Sequence, residues 1–152
     1  MCPAPESLNL LVNSLNGIVD EISSRTASEC FETDVPALPY PEQVVVLVFY
    51  LDMEVHCDSF EKWMSNPTGA LVQETIGILR GIGAHAAADL AACAVKVLPE
   101  GLAHDYRERH EQLDQLSDSQ LDTLDTLSEA YEMYREDTLR KALMLWKEHD
   151  GK

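Results

Sequence analysis

The densest group of chemically capable side chains is the segment EVHCD, where Glu54, His56, Cys57 and Asp58 fall within five residues. Carboxylates, imidazole and thiolate are common metal ligands, and a carboxylate can also act as a general base. On a helix, however, successive side chains are rotated by about 100° around the axis, so these neighbours do not converge on one point. A metal site here therefore needs a second group of ligands from elsewhere in the chain.

The candidate for that second group is the segment HDYRERHE, in which His104 and His110 are six residues apart. That spacing places the two imidazoles on opposite sides of a helix. The chain also contains no GxGxxG loop, no GxSxG elbow and no HExxH motif. We therefore predict no catalytic residue, no metal and no cofactor. A metal-dependent or catalytic use of the region formed by Glu54, His56 and Asp58 is kept as the alternative hypothesis.

Glu54 also has a structural interpretation. It lies three residues after Leu51, on the flank of an apolar helix face. Its carboxylate is expected to accept backbone N–H groups from the turn at residues 57–60 and so to fix the start of the next helix. Phe60 and Trp63, three residues apart, are expected to lie in the core rather than in a ligand cage.

A row of carboxylates follows one side of the segment LDTLDTLSEAYEMYREDT, residues 121–138. At about 100° per residue five of its acids fall within an arc of about 80°, opposite the leucines and tyrosines: Asp122, Asp125, Glu129, Glu132 and Glu136. Like charges four residues apart cost roughly 0.2–0.5 kcal/mol each on an isolated helix, which core packing easily outweighs. Stability therefore neither requires nor forbids the row. The ion pairs expected to relieve its C-terminal end are Glu132–Arg135, Glu136–Arg140 and Asp137–Lys141.

The row is either a solvated outer face or the surface that binds a partner. Carboxylates on one helix follow each other at about 5 Å, whereas a DNA strand carries one charge per about 3.4 Å of axis. A mimic of DNA therefore needs a second acidic row, which Glu108, Glu111, Asp114 and Asp118 could begin. The candidate partner-binding residues are Asp114, Asp118, Asp122, Asp125, Glu129 and Glu132.

The net charge of the chain restricts its partners. Among 152 residues, 11 Lys and Arg oppose 27 Asp and Glu, which leaves a net charge of −16. Residues 1–76 carry two bases and twelve acids, and residues 77–152 carry nine and fifteen, so both halves are acidic. Such a surface repels nucleic acid and anionic membranes and attracts basic proteins. We therefore predict a basic protein as partner, with no direct binding of nucleic acid or membrane.

The remaining composition indicates a single cytoplasmic domain over residues 1–152. The longest apolar run, VVVLVFYL, has eight residues, whereas a membrane helix needs about 20. The N-terminal sequence MCPAPESLN lacks the basic and apolar regions of a signal peptide. The four cysteines form no CxxC pair, so we expect reduced thiols and a cytoplasmic location.

The hydrophobic spacing predicts an all-α fold, a compact irregular bundle of about seven helices. The first is an amphipathic helix over about residues 6–27, followed by the proline-rich loop ETDVPALPYP. In EQVVVLVFYLDMEV three valines favour a strand, but the length and the missing alternation favour a buried helix. A short helix is expected to begin at Asp58 or Ser59, and the helix after it to end near Gly83. A polar helix is expected from about His104 to Leu116, and the last helix is expected to have Asp137 as its N-cap.

A recognisable pattern begins at Leu51 and extends to about Leu98. Its first part, LxxEVxNGGFxQxFxNxxG, is matched at Leu51, Glu54, Val55, Phe60, Asn66 and Gly69. Its second part, LxxIGA, is matched at Leu79, Ile82, Gly83 and Ala84. This pattern resembles the DNA-mimic protein 19-like family of small bacterial helical proteins, and LDTLDTLSEAYEMY is similar to that family's LDxLDxxFY. The resemblance covers about residues 38–147 and departs at His56–Ser59 and Lys62, where the family has NNGG and Gln.

The resemblance implies an all-α fold without enzymatic activity or cofactor. Four residues that match the family's motif are expected to have a structural role: Glu54, Phe60, Asn66 and Gly69. For the studied mimic it implies a homodimer whose acidic surface occupies the DNA-binding face of a transcription regulator. The leading hypothesis is therefore a non-enzymatic acidic module that binds a basic protein, with mimicry of DNA as its specific form. An adaptor or immunity-type protein with an apolar interface is the third hypothesis.

Overall fold

The computed structural model describes residues 5–25 and 31–150, which form helices and short 3-10 turns without a β-strand. The helices are α1 Pro5–Arg25, α2 Phe31–Asp34, α3 Tyr40–Cys57, α4 Phe60–Ser65, α5 Val72–Gly81, α6 His85–Lys96, α7 Tyr106–Asp114, α8 Asp118–Tyr131 and α9 Arg135–Asp150. The 3-10 turns are Val35–Ala37, Pro67–Leu71 and Glu132–Tyr134. The all-α prediction is confirmed, with eight helices of six or more residues where about seven were predicted.

Helix α3 lies at the centre of the bundle and packs against α1, α4, α5, α8 and α9. Six consecutive residues, Val44–Phe49, are buried, followed by Leu51 and Val55. Neighbours on every side remove the usual polar face of a helix, which explains why the sequence shows no helical period there. The prediction of a buried helix rather than a strand is therefore confirmed. No helix in the described residues combines the length and the apolar character needed to cross a membrane.

Local signals in the sequence determine most helix ends. The Ser59 hydroxyl accepts the Lys62 N–H at 3.3 Å, so the predicted start of α4 is confirmed. Ser117 and Gln120 form a capping box at the start of α8. The prediction of Asp137 as an N-cap is wrong, because α9 begins at Arg135, directly after a 3-10 turn. Positions 26 and 27 of the first predicted helix lie outside the described residues, and α1 accounts for the rest of it.

A buried polar triad holds the junction between α8 and α9. Asp52, on the central helix α3, accepts two hydrogen bonds from Arg135, at 2.9 Å from Nε and 2.8 Å from Nη2. The Tyr131 hydroxyl donates to the same carboxylate at 2.6 Å, and burial raises the pKa of this phenol well above its ordinary value. The triad fixes the 3-10 turn Glu132–Tyr134, which joins the two helices, to the centre of the bundle.

Candidate acidic interface

Three residues of the family-like motif, Glu54, Asn66 and Gly69, lie in one cluster at the end of α3 and the turn after α4. The Glu54 carboxylate accepts the Asn66 side-chain amide and, at 2.6 Å, the Thr68 hydroxyl. The prediction that this carboxylate accepts backbone N–H groups from the turn at 57–60 is wrong. The N–H groups of Asp58 and Ser59 donate instead to the backbone carbonyl of Glu54, as at any helix end. The carboxylate therefore fixes the turn after α4, not the turn before it.

Gly69 belongs to the same cluster because of a close approach of backbone and arginine. A Cβ at this position would lie 1.9 Å from the Met64 carbonyl oxygen and 2.6 Å from Arg109 Nε. The buried Arg109 guanidinium donates to three carbonyl oxygens, those of Met64, Asn66 and His104. Glycine thus provides the space in which an arginine of α7 reaches through to the turn after α4.

We expect the contribution of Glu54 to stability to fall as pH rises. Burial raises the pKa of Glu54 above its ordinary value of 4.5, and the hydrogen bonds from Thr68 and Asn66 oppose that shift. The folded protein therefore holds this proton to a higher pH than the unfolded chain. The stabilisation present below pH 4.5 is lost as pH rises through the folded pKa.

Chemical denaturation from about pH 4 to pH 7 measures this effect. The stability of the unmodified protein should fall relative to that of Glu54→Gln across this range. The control is Glu74→Gln, which makes the same chemical change at an exposed acid. A stability difference for Glu54→Gln that does not change with pH, or that changes no more than the difference for the control, would contradict the prediction.

Helix α4 is docked directly on α8. The Phe60 N–H, at the start of α4, donates to the Ser128 hydroxyl at 2.9 Å, and that hydroxyl donates to the Leu124 carbonyl at 2.8 Å. The Phe60 ring also lies edge to face with the buried Tyr131 ring, with 6.2 Å between centroids. The prediction that Phe60 and Trp63 lie in the core is confirmed. This contact places the N-terminal end of α4 against the inner side of α8.

All six residues of the predicted carboxylate row are exposed. Asp114 ends α7, and the others follow α8 and the 3-10 turn after it. The inner side of α8 buries Leu124, Ser128 and Tyr131, so the row faces away from the core. Among the residues that the structure describes, five of the six form no ion pair: Asp114, Asp118, Asp122, Asp125 and Glu129.

Glu132 differs from the other five residues of the row. Its carboxylate accepts a hydrogen bond from His56 Nδ1, at 2.9 Å to Oε1. The predicted pair of Glu132 with Arg135 is wrong, because Arg135 points into the core and binds Asp52. The two other predicted pairs are confirmed, Glu136–Arg140 at 2.5 Å and Asp137–Lys141 at 2.7 Å.

A second group of carboxylates lies beside the row, and it comes from the start of α4. Burial raises the pKa of Glu61, and the nearby carboxylates of Asp58, Asp125 and Asp114 raise it further. These four acids come from three separate places in the chain, so only the packing of α4 against α7 and α8 brings them together. The term acidic face is used below for one set of residues: Asp58, Glu61, Asp114, Asp118, Asp122, Asp125 and Glu129.

The sequence-based candidates for a second row were Glu108, Glu111, Asp114 and Asp118. Of these, Asp114 does meet the second group, but Asp58 and Glu61 were missed. Asp58 belongs to the segment EVHCD, which the sequence offers as a source of metal ligands. Glu61 lies in a short helix, and the sequence does not show which helix it packs against. The sequence signal that could have indicated Asp58 and Glu61 is the scarcity of basic residues around them, because Lys62 is the sole Lys or Arg from residue 26 to residue 79.

The arginines nearest to the row in sequence do not neutralise it. Residues 110–134 contain seven acids and no Lys or Arg, and this segment lies between Arg109 and Arg135. Both arginines are buried and donate to groups inside the bundle. Lys62 is the cation nearest along the chain to Glu61, and its charge lowers the pKa of that carboxyl. The acidic face therefore keeps most of its charge uncompensated.

The alternative site formed by Glu54, His56 and Asp58 does not assemble. Glu54 binds Asn66 and Thr68, His56 binds Glu132, and Asp58 accepts a hydrogen bond from the Ser59 hydroxyl at 3.2 Å. The three side chains therefore serve three different contacts. Within residues 5–25 and 31–150, no group of three or more His, Cys, Asp or Glu side chains is arranged to hold a metal ion.

Fold and surface together define the class: a small helical protein with an exposed group of carboxylates that form no ion pairs among the described residues. The chain belongs to the DMP19-like protein family, a family of DNA-mimic-like proteins, with a match over residues 36–149. This range confirms the expected extent of about 38–147 and includes the whole acidic face, whereas α1 lies outside it. No curated protein and no solved structure matches the chain.

Proposed function

We propose that this chain is a non-enzymatic cytoplasmic protein whose acidic face binds a basic partner protein and occupies the surface with which that partner binds DNA. The observation that carries the proposal is the second group of carboxylates, Asp58 and Glu61, beside Asp125 on α8. Membership of the DMP19-like family supports it independently.

The density of charge is the physical reason for proposing mimicry. A row on α8 alone offers one carboxylate per about 5 Å, which is sparser than the 3.4 Å of a DNA strand. Asp58 and Glu61, which lie near Asp125 and near Asp114 at the end of α7, add negative charges beside the row. Two neighbouring lines of negative charge are what a protein surface built for duplex phosphates recognises.

The partner is proposed to be a DNA-binding regulator with an exposed basic surface. Its arginines and lysines would lose their phosphate partners when the acidic face binds, so DNA and this protein should exclude each other. A homodimer would place a second acidic face next to the first and lengthen the charged surface. Sedimentation of the purified protein tests that part separately.

We expect neutralisation of the row to weaken partner binding by roughly tenfold to a hundredfold. Exposed ion pairs contribute up to about 1 kcal/mol each, and about 1.4 kcal/mol corresponds to tenfold in affinity. The variant is Asp122→Asn/Asp125→Asn/Glu129→Gln. The partner is captured from a cell extract by salt-graded elution, and its dissociation constant is then measured at low and at high salt, with and without duplex DNA.

The matched control is Asp20→Asn/Glu74→Gln/Glu148→Gln, which neutralises three exposed acids outside the acidic face. Both triple variants change the net charge from −16 to −13, because each removes three negative charges. Equal losses of affinity in the two variants would show that only overall charge matters. Affinity that does not change with salt, or simultaneous binding of partner and DNA, would remove the proposal of mimicry.

A further inference from the structure

A groove with a volume of about 400 Å³ lies along the junction of α1 and α9, which pack against each other. Its floor is apolar and includes Leu11 and Leu143, both of which also belong to the core. Two apolar side chains in its lining are left in water: Leu10 is 63% exposed and Met144 is 55% exposed. Exposed apolar side chains that share one concavity favour the binding of an apolar group, which single exposed residues on a convex surface do not.

The charges of this groove are opposite to those of the protein as a whole. Its lining contains Arg140 and Lys147 together with the hydroxyls of Ser7 and Ser14, and no carboxylate. Arg140 is paired with Glu136 at 2.5 Å, and the Ser7 hydroxyl donates to the same carboxylate at 3.4 Å. Lys147 forms no ion pair among the described residues, so it leaves the groove with an uncompensated positive charge in a chain whose net charge is −16.

We propose that this groove docks a short amphipathic segment of another protein, one that carries apolar side chains flanked by carboxylates. The leucine and methionine contacts bind the apolar face of the segment, and Lys147 and Arg140 bind its acids. Residues of both α1 and α9 line the groove. Helix α1 lies outside residues 36–149, the part of the chain that matches the family. The docking site is therefore separate from the acidic face and stands independently of its function.

The size of the groove favours a segment over a second copy of this chain. From Ser7 to Ser14, and from Arg140 to Lys147, each wall contains eight residues, or about 10 Å of helix. That length fits about two turns of a docked helix, whereas a stable dimer buries about 800 Å² on each partner. A two-fold dimer through this groove would also bring the lining cations Arg140 and Lys147 of both copies together, and like charges repel.

The probe is a fluorescent amphipathic peptide of about 14 residues with two leucines four apart and glutamates at the flanks. Anisotropy measures its affinity for the full chain, and amide chemical shifts in ¹⁵N-labelled protein locate it. We expect shifts at residues 7–14 and 140–147. The variant Leu10→Ser/Met144→Ser should weaken binding about tenfold or more, and Lys147→Glu should weaken it about threefold or more.

Met133→Ser provides the matched control, since Met133 is 75% exposed and does not line the groove. It should leave the affinity unchanged, and all the changed side chains are exposed, so the fold is retained. A peptide with lysines in place of the glutamates should shift amides of α8 and not those of the groove. The proposal is overturned if the acidic peptide does not bind, if Met133→Ser weakens it as much, or if the lysine peptide occupies the groove equally. It is also overturned if Leu10→Ser/Met144→Ser converts a dimer into a monomer, because the occupant is then a second copy.

Discussion

Replacing Arg135 with methionine is expected to lower the free energy of unfolding by about 3–5 kcal/mol, the usual cost of breaking one side of a buried ion pair. Asp52 lies at the centre of the bundle and is fully buried, and its carboxylate accepts two hydrogen bonds from the Arg135 guanidinium. Without the arginine, one hydrogen bond from Tyr131 remains to balance a buried charge. Such a loss corresponds to a fall in Tm of roughly 6–20 °C for a chain of this size.

Urea denaturation followed by circular dichroism at pH 7 measures the effect, with two controls. The triple variant Asp52→Leu/Tyr131→Phe/Arg135→Met removes the whole polar triad, and it should regain most of the lost stability because no buried polar group is left unpaired. Arg80→Met removes the exposed pair with Asp89 and should cost less than about 1 kcal/mol. If Arg135→Met cost no more than Arg80→Met, the triad would not hold the junction of α8 and α9.

Gly69→Ala is expected to destabilise the protein by about 3 kcal/mol although it adds a single methyl group. That methyl carbon would stand 1.9 Å from the Met64 carbonyl oxygen, which is backbone and cannot rotate away. It would also displace Arg109, so that a buried guanidinium would lose hydrogen bonds to backbone carbonyls. The cost combines a steric shift of the turn after α4 with the loss of charge-assisted hydrogen bonds.

Gly77→Ala is the matched control for this prediction. Gly77 lies within α5, where a Cβ would meet no atom within 4 Å. Alanine is a better helix former than glycine, so this variant should be neutral or more stable by up to about 1 kcal/mol. Denaturation curves of the two variants under identical conditions make the comparison. Equal effects would mean that the close approach at Gly69 does not constrain the fold.

The acidic row on α8 was predictable from the sequence because it depends on one helix. The spacing of Asp118, Asp122, Asp125 and Glu129 places them on one side of any helix, and the leucines between them determine which side is buried. The prediction of their exposure is confirmed residue by residue. Whether these carboxylates bind a partner stays a proposal, which the charge-matched triple variants test.

Ion pairs were predictable only where both partners are on one helix and exposed. Glu136–Arg140 and Asp137–Lys141 follow from their separation by four residues. The pair Glu132–Arg135 has an equally suitable separation, yet it does not form, because Arg135 meets the buried carboxylate of Asp52 on another helix. A spacing rule includes only neighbours on the same helix and therefore fails where a distant group competes.

The motif residues show the same division. Glu54, Asn66 and Gly69 were identified together by resemblance, and Glu54 was expected to have a structural role. What these residues share is visible only in three dimensions. The hydrogen bond between the Asn66 amide and the Glu54 carboxylate, and the space left by the missing side chain of Gly69, together determine the turn after α4. Arg109, which fills the space left by Gly69, follows 40 residues later and carries no sequence signal that distinguishes it from an exposed arginine.

By itself the sequence determined what depends on composition and on neighbours along one helix: the all-α fold, the sign of the charge, the helix caps at Ser59 and the exposed row on α8. Tertiary structure alone decided which segments lie side by side. It placed Asp58 and Glu61 beside Asp125, turned Arg109 and Arg135 into the bundle, and left an apolar groove between α1 and α9. The reason is physical: helical periodicity acts over a few residues, whereas these contacts join helices far apart in the chain, and their geometry follows from how the apolar faces of those helices pack.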